Sequence, residues 1–263
     1  MNTLPKIIDS IHNEQLKVLT KLLKQSKERV HSGLMVLEGI HLLDALLHAK
    51  QMPKSIFIHE NKLSHPQIQT LLNQSTNSSI YQLTDKAFNK LKSFSSCSDL
   101  FTICTLPRPS ILPQNYSCII LENIQDTGNL GTILRSAAAA NIKYIILNKN
   151  CADVFSPKVL RAAMGAHFIL DIHTDIDLPE FLKNYRGLSF ATTLTESSSS
   201  LYQHDLSGDI AFILGNEGSG VSLALQDKAD HCIHIPMNAD VESLNVAMAA
   251  TICVFERMRQ KLA

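Results

Sequence analysis

The sequence predicts an α/β protein in two parts, a small mixed domain followed by a larger one built on a parallel sheet. Three observations predict it. Short apolar runs alternate with helical stretches through the second half, the pattern of a parallel sheet covered on both faces. The first part mixes strand-like and helical runs less regularly. Between them, Leu106-Pro107-Arg108-Pro109-Ser110-Ile111-Leu112-Pro113 holds three prolines, and proline denies helix and central strand alike. The expected divisions are 1–106, a linker over 107–116, and 117–263.

In the first part, periodicity predicts a helix over Ile11 to Gln25, a strand over Leu34 to Leu37 and a helix over Ile40 to Ala49. Strands follow at Ser55 to His59 and Ile80 to Leu83, with helical pieces between and after them, and Leu100 to Thr105 closes the domain. In the second part, strands are expected at Cys118–Leu121, Tyr144–Leu147, His167–Ile172, Leu188–Thr192, Ile210–Leu214 and Cys232–Ile235. Helices are expected over Leu130–Ala140, Lys158–Met164, Ser219–Ala229 and Ser243–Lys261. The last has Ser243 as its cap, basic residues in its final turns, and a middle that is apolar nearly all round. Such a helix needs cover on more than one side, so a homodimer through 243–261 is expected. The low-complexity stretch Ser197 to Ser200 reads as a flexible loop.

Composition narrows the function class. A 45% apolar, 18% charged chain of 263 residues is neither disordered nor short of a core. The net charge is zero, so nucleic acid would need a local basic patch. Lys17, Lys21, Lys24, Lys27 and Arg29 are one source, read first as a solvated helix face, and Arg108, Lys158 and Arg161 are another. The cysteines Cys97, Cys104, Cys118, Cys151, Cys232 and Cys253 form no C-x-x-C pair and sit mostly in apolar runs. They read as buried reduced thiols of a cytoplasmic protein without a metal site. No secretory signal is seen, and the longest apolar run, Ala247 to Phe255, is too short to span a bilayer.

Three segments carry the chemistry, each where an apolar strand gives way to a loop or helix, the edge at which open α/β sheets bind ligands. The first is Thr127-Gly128-Asn129-Leu130-Gly131 leading to Arg135. Asn129 or Thr127 can cap its helix, and Arg135 is either solvated, salt-bridged or functional. The second, Gly215-Asn216-Glu217-Gly218-Ser219-Gly220, is a tight turn or an anion cradle. It is not the dinucleotide fingerprint, and Glu217 would repel phosphate. The third, Ile235-Pro236-Met237 running to Ser243-Leu244-Asn245, ends in ordinary capping residues.

The order N-L-G-x-x-x-R, G-N-E-G-x-G, then I-P-M with S-L-N resembles the signature motifs of the SpoU (TrmH) RNA ribose 2′-O-methyltransferases of the SPOUT superfamily, over residues 117–260. More weakly, Val36-Leu37-Glu38-Gly39-Ile40-His41 resembles the entry of that family's L30e-like substrate-binding domain. The resemblance implies a trefoil knot formed by the loops 215–220 and 235–245 and the final helix, and S-adenosylmethionine as cofactor. It implies cofactor binding by Thr192, Leu194, Gly215, Asn216, Gly220, Ile235, Met237 and Leu244. Arg135 matches the catalytic arginine, as base or as electrostatic stabiliser. Asn129, Glu217, Ser243 and Asn245 would orient it, the ribose or the loops, and Lys158, Arg161 and Arg108 would meet RNA phosphates. The chain departs from the family where Met164 replaces a usual serine and Ser98-Asp99 a common Gln-Gly. The expected substrate is 23S ribosomal RNA. Transfer RNA, a non-catalytic RNA-binding protein, and a Rossmann-type nucleotide enzyme are the other readings.

Overall fold

The computed structural model describes residues 5–92 and 99–262; Cys97 and Ser98 lie outside the described residues. The chain divides into two compact units, Met1–Pro107 with Phe155–Phe168, and Arg108–Val154 with Ile169–Ala263.

The first unit carries β1 (Lys6–Ile8), α1 (Glu14–Lys24), α2 (Ser26–Ser32), β2 (Leu34–Glu38), α3 (Ile40–His48), β3 (Ser55–His59), α4 (Pro66–Gln74), β4 (Ser79–Leu83), α5 (Asp85–Lys92) and β5 (Leu100–Thr105). Its sheet has the order β1-β4-β3-β5-β2, parallel at β1/β4 and β3/β4 and antiparallel around β5. Side chains alternate across a strand, so β2 sends Met35 and Leu37 to a core shared with α3 and α4, and Val36 to one shared with α1 and α5. The first helix starts later than expected because Asn13 caps it, its side chain accepting from the N–H groups of Gln15 and Leu16. Arg29 leaves the expected basic face. It is buried, and its guanidinium donates to the Leu22 and Leu23 carbonyls that end α1. Although it lies beyond the proline cluster, the segment 155–168 belongs to this unit: Leu160 joins the α3/α4 core and Arg161 pairs with Glu38.

The second unit runs β6 (Cys118–Leu121), α6 (Thr127–Ala139), β7 (Tyr144–Leu147), then, after the segment bearing α7 (Pro157–Ala163), β8 (Asp171–His173), α8 (Leu178–Asn184), β9 (Leu188–Thr192), β10 (Ser199–Ser200), β11 (Ile210–Leu214), α9 (Leu223–Gln226), β12 (His231–His234) and α10 (Val246–Leu262). The sheet is parallel throughout, ordered β10-β12-β9-β11-β6-β7-β8. α8 and α9 pack on one face with Ile120, Ile146 and Ile213, and α6 packs against α10, which also meets β11.

Four expectations shift. The strand expected over His167–Ile172 begins at Asp171, because left-handed Met164 and Gly165 turn the chain into a 3-10 segment, Ala166–Phe168. Asp171 is tolerated in the strand because its carboxylate accepts the Ser110 N–H at 3.0 and 3.2 Å. The helix expected over Ser219–Ala229 contracts to α9, since left-handed Gly220 closes a turn and the Ser222 N–H is held by the Glu122 carboxylate at 2.7 Å. The serine run is no loose loop: Ser199 and Ser200 pair with Ile233 and His234 as an edge strand. Finally, α10 is capped by Asn245 rather than Ser243, the Asn245 side chain accepting from the Ala247 and Met248 N–H groups. Among the described residues the remaining five cysteines are free thiols, Cys104, Cys118 and Cys253 buried, and no helix is long and apolar enough to cross a membrane.

Candidate active site at the ends of the parallel strands

Three loops leave the sheet where β6, β11 and β12 end, and hydrogen bonds join them. After β6, Asp126 caps α6 by accepting the Asn129 N–H at 2.7 Å. Neither Asn129 nor Thr127 is needed as the cap, so the Asn129 amide is released for other work. Its Nδ2 donates to Glu217 Oε1 at 3.1 Å, and its Oδ1 accepts from Asn245 Nδ2 at 2.9 Å. Asn245 spends its own Oδ1 on the start of α10. Each amide therefore has one consistent orientation, and Asn245–Asn129–Glu217 links all three segments.

After β11, the glycine loop has a fixed shape. A Cβ on Gly215 would lie 2.1 Å from the Gly220 carbonyl carbon and oxygen, so no side chain fits there. Gly220 takes φ +69°, where glycine carries no penalty. Inside the turn, Asn216 Oδ1 accepts from the N–H groups of Gly218 at 2.9 Å and Ser219 at 3.3 Å, and Asn216 O accepts from Gly220 at 2.8 Å. Those N–H groups are spent within the loop and do not form a phosphate cradle. Asn216 Nδ2 anchors the turn to the carbonyl of Asn123, a residue held left-handed and paired side chain to side chain with Asn148 at 2.8 Å.

Glu217 is exposed, and its partial desolvation in the loop opposes ionisation. Hydrogen bonds from its own backbone N–H, the Asn129 amide, and the backbone of Asp126 and Gln125 outweigh that cost and hold its carboxyl below the ordinary value.

The loops enclose a cavity of about 530 Å³, within the usual range for a small-molecule site. Thr192, Leu194, Gly215, Asn216, Gly220, Ile235, Met237 and Leu244 line it together with Glu217, Ser243 and Asn245. The walls are mostly aliphatic or backbone, and the nearest fixed charge is the Glu217 carboxylate. That donor set suits an uncharged nucleoside carrying a cationic group and disfavours a phosphate ester.

Arg135 is not among the lining residues. It stands exposed on α6, and among the described residues it makes no ion pair or hydrogen bond. Arg108 and Lys158 are exposed, whereas Arg161 is bonded to the buried Glu38 carboxylate. Sequence reasoning missed Asp126, Asn123, Asn148 and His234. Asp126 had a signal, a capping residue three positions before Asn129. The asparagine pair had none, because its members lie 25 residues apart on different strand ends.

The model of the SpoU rRNA Methylase family matches residues 116–255, more than half of the chain. The chain belongs to the SpoU rRNA methylase family. It is an S-adenosylmethionine-dependent RNA 2′-O-methyltransferase. Residues 13–96 match the MRM3-like substrate binding domain. Among curated relatives, the 23S rRNA (guanosine(2553)-2′-O)-methyltransferase RlmP of Bacillus subtilis is 29% identical over 95% of this chain and 98% of its own. An uncharacterised tRNA/rRNA methyltransferase of Synechocystis is 33% identical, covering 97% of this chain and 94% of its own. Among solved structures, the AdoMet-bound rRNA methyltransferase from Sinorhizobium meliloti superposes with a TM-score of 0.83 at 26% identity, over 98% of this chain and 99% of that one.

Proposed function

We propose that this methyltransferase acts on a ribose 2′-hydroxyl of 23S ribosomal RNA, with the 530 Å³ cavity as its cofactor site. The observation that carries the reading is the Asn245–Asn129–Glu217 line, which closes three sequence-distant motifs on one cavity of suitable size and charge. The ribosomal substrate is supported by the full-length likeness to the Bacillus subtilis enzyme and by the first unit's MRM3-like match.

The cofactor supplies the methyl group on a sulfonium sulfur. The protein's part is placement and charge. The Gly215–Gly220 turn and the Ile235–Leu244 loop hold the nucleoside end, and Thr192 and Leu194 close the pocket from β9. Arg135, unpaired and exposed, binds the phosphate next to the acceptor nucleotide and stabilises the negative charge that develops on the 2′-oxygen as its proton passes to solvent water and the methyl group leaves the sulfonium for that oxygen. An arginine remains protonated in proteins, so the electrostatic role fits it better than that of base. Asn129, Glu217, Ser243 and Asn245 keep the loops in register with it. Arg108 and Lys158 add phosphate contacts. Arg161, committed to Glu38, serves RNA by fixing the segment on which Lys158 stands.

Three further features belong to the same reading. The loops 215–220 and 235–245 with α10 form a trefoil knot. Divisions at 106 and 117 separate an L30e-like RNA-binding domain from the SPOUT domain. The protein is a cytoplasmic homodimer through α10, where Met248, Phe255 and Leu262, seven residues apart, leave one exposed apolar stripe. Mapping ribose methylation on ribosomal RNA from cells lacking the protein tests the substrate. One missing 23S site is expected, and an unchanged 23S pattern with a missing transfer-RNA site would reassign it.

A further inference from the structure

The methyl-transfer reading leaves unused a serine run and a histidine at the cavity wall. Residues 193–198 lead from β9 to β10, and Thr193 and Leu194 line the cavity, as does His234 at the end of β12. The span is tied to β12 at both ends: the Thr193 N–H donates to the Ile233 carbonyl at 2.9 Å, and Ser199 and Ser200 pair with Ile233 and His234. Between these ties, residues 195–198 fold into a turn in which the Ser198 N–H and hydroxyl both donate to the Thr195 carbonyl, at 3.0 and 2.6 Å.

Ser198 Oγ also lies 3.0 Å from His234 Nδ1. A hydroxyl has one proton, and a carbonyl accepts only, so the Ser198 proton is spent on Thr195. The second contact is therefore His234 Nδ1–H donating to Ser198 Oγ, which places a proton on Nδ1. Among the described residues, this is the one side-chain hydrogen bond that ties the 194–198 span to β12.

We propose that His234 is a positioning residue for the cofactor: its Nδ1–H latches Ser198, so that Thr193 and Leu194 stand as a wall of the pocket. The proposal rests on the reading of this cavity as the S-adenosylmethionine site. A span released from the latch is correctly placed for only part of the time, and apparent affinity falls in proportion to that fraction. The group assigned to the RNA side, Arg135, stands on α6 outside the cavity lining and is untouched, so the loss falls on cofactor affinity and not on turnover.

The test is calorimetric titration with S-adenosylmethionine alongside steady-state kinetics on an RNA acceptor. His234→Ala and Ser198→Ala should each raise the Kd and KM for the cofactor about 3- to 10-fold, the range of one lost hydrogen bond, with kcat within about twofold. The double variant should be no weaker than either single one, because both remove the same bond. His234→Asn, whose side-chain N–H replaces the Nδ1 donor, should restore affinity to within about twofold. Unaltered binding by His234→Ala, additive losses, or failure of His234→Asn to rescue would overturn the latch alone. Wild-type protein that binds no S-adenosylmethionine would overturn the pocket reading and the latch with it.

Discussion

Replacing Asn129 by aspartate probes the line that joins the three motifs. The substitution is nearly isosteric, keeps the acceptor for Asn245, and turns the donor that faces Glu217 Oε1 at 3.1 Å into a second carboxylate. Two unit charges at that distance repel by about 1.3 kcal/mol in bulk water and about 5 kcal/mol at an effective dielectric constant of 20. Glu217 is exposed, so the lower end applies, about 1–2 kcal/mol. If loop geometry sets cofactor affinity, Asn129→Asp should bind S-adenosylmethionine roughly tenfold more weakly at pH 7.5, since about 1.4 kcal/mol is a factor of ten. The pH dependence carries a sign. In the wild type the Glu217 carboxyl is held below its ordinary value, so its contribution is fully present above the unfolded carboxylate range and is lost only as pH falls through the lower, folded value. Wild-type affinity should thus be flat from pH 7.5 to 5.5. In Asn129→Asp the two carboxylates raise one apparent pKa, a shared proton restores a hydrogen bond, and affinity should recover as pH falls. Calorimetric titration at both pH values checks this. Wild-type affinity in the variant at pH 7.5, or parallel pH slopes in the two proteins, would refute the coupling of Asn129 to the pocket.

The other expectations concern separate parts of the molecule. Gly215→Ala places a methyl 2.1 Å from the Gly220 carbonyl; it should cost about 2 kcal/mol or more in denaturant unfolding and abolish cofactor binding. Arg135→Ala touches an exposed, unpaired side chain; stability should change by less than about 0.5 kcal/mol and cofactor affinity should hold, while methyl transfer is lost. Arg161→Ala leaves the Glu38 carboxylate, 1% exposed, without its guanidinium; unfolding should show a loss of about 3 kcal/mol, larger than that of Glu38→Gln. Replacing both Met248 and Phe255 by aspartate should yield monomer in sedimentation equilibrium, if α10 is the dimer surface.

Much of the architecture was legible because a parallel sheet writes its strands as continuous apolar runs. Cys118–Leu121, Tyr144–Leu147, Leu188–Thr192 and Ile210–Leu214 appear as expected to the residue. Elements whose limits are set from outside them were harder to place. His167–Ile172 reads as one strand because nothing in it marks the left-handed turn at Met164 and Gly165 that delays the strand to Asp171, and Ser199–Ser200 reads as a loop until β12 lies beside it. β1, only three residues long, gives periodicity nothing to work on. At the site, the residue types were legible but their partners were not. Asn129 and Asn245 stand 116 residues apart, and only folding reveals that one asparagine caps α10 with its oxygen and steadies the other with its nitrogen. The glycine loop looked open to an anion because nothing in its spacing says that Asn216 consumes the backbone donors.

The central claim is that these loops build a methyl-transfer site for RNA ribose. Its most direct test is transfer of labelled methyl from S-adenosylmethionine to 23S ribosomal RNA, followed by alkaline hydrolysis, which cannot cleave next to a 2′-O-methylated ribose. Label in alkali-resistant dinucleotides, absent with Arg135→Ala, is the predicted result. Label recovered only in mononucleotides, the mark of base methylation, would contradict it.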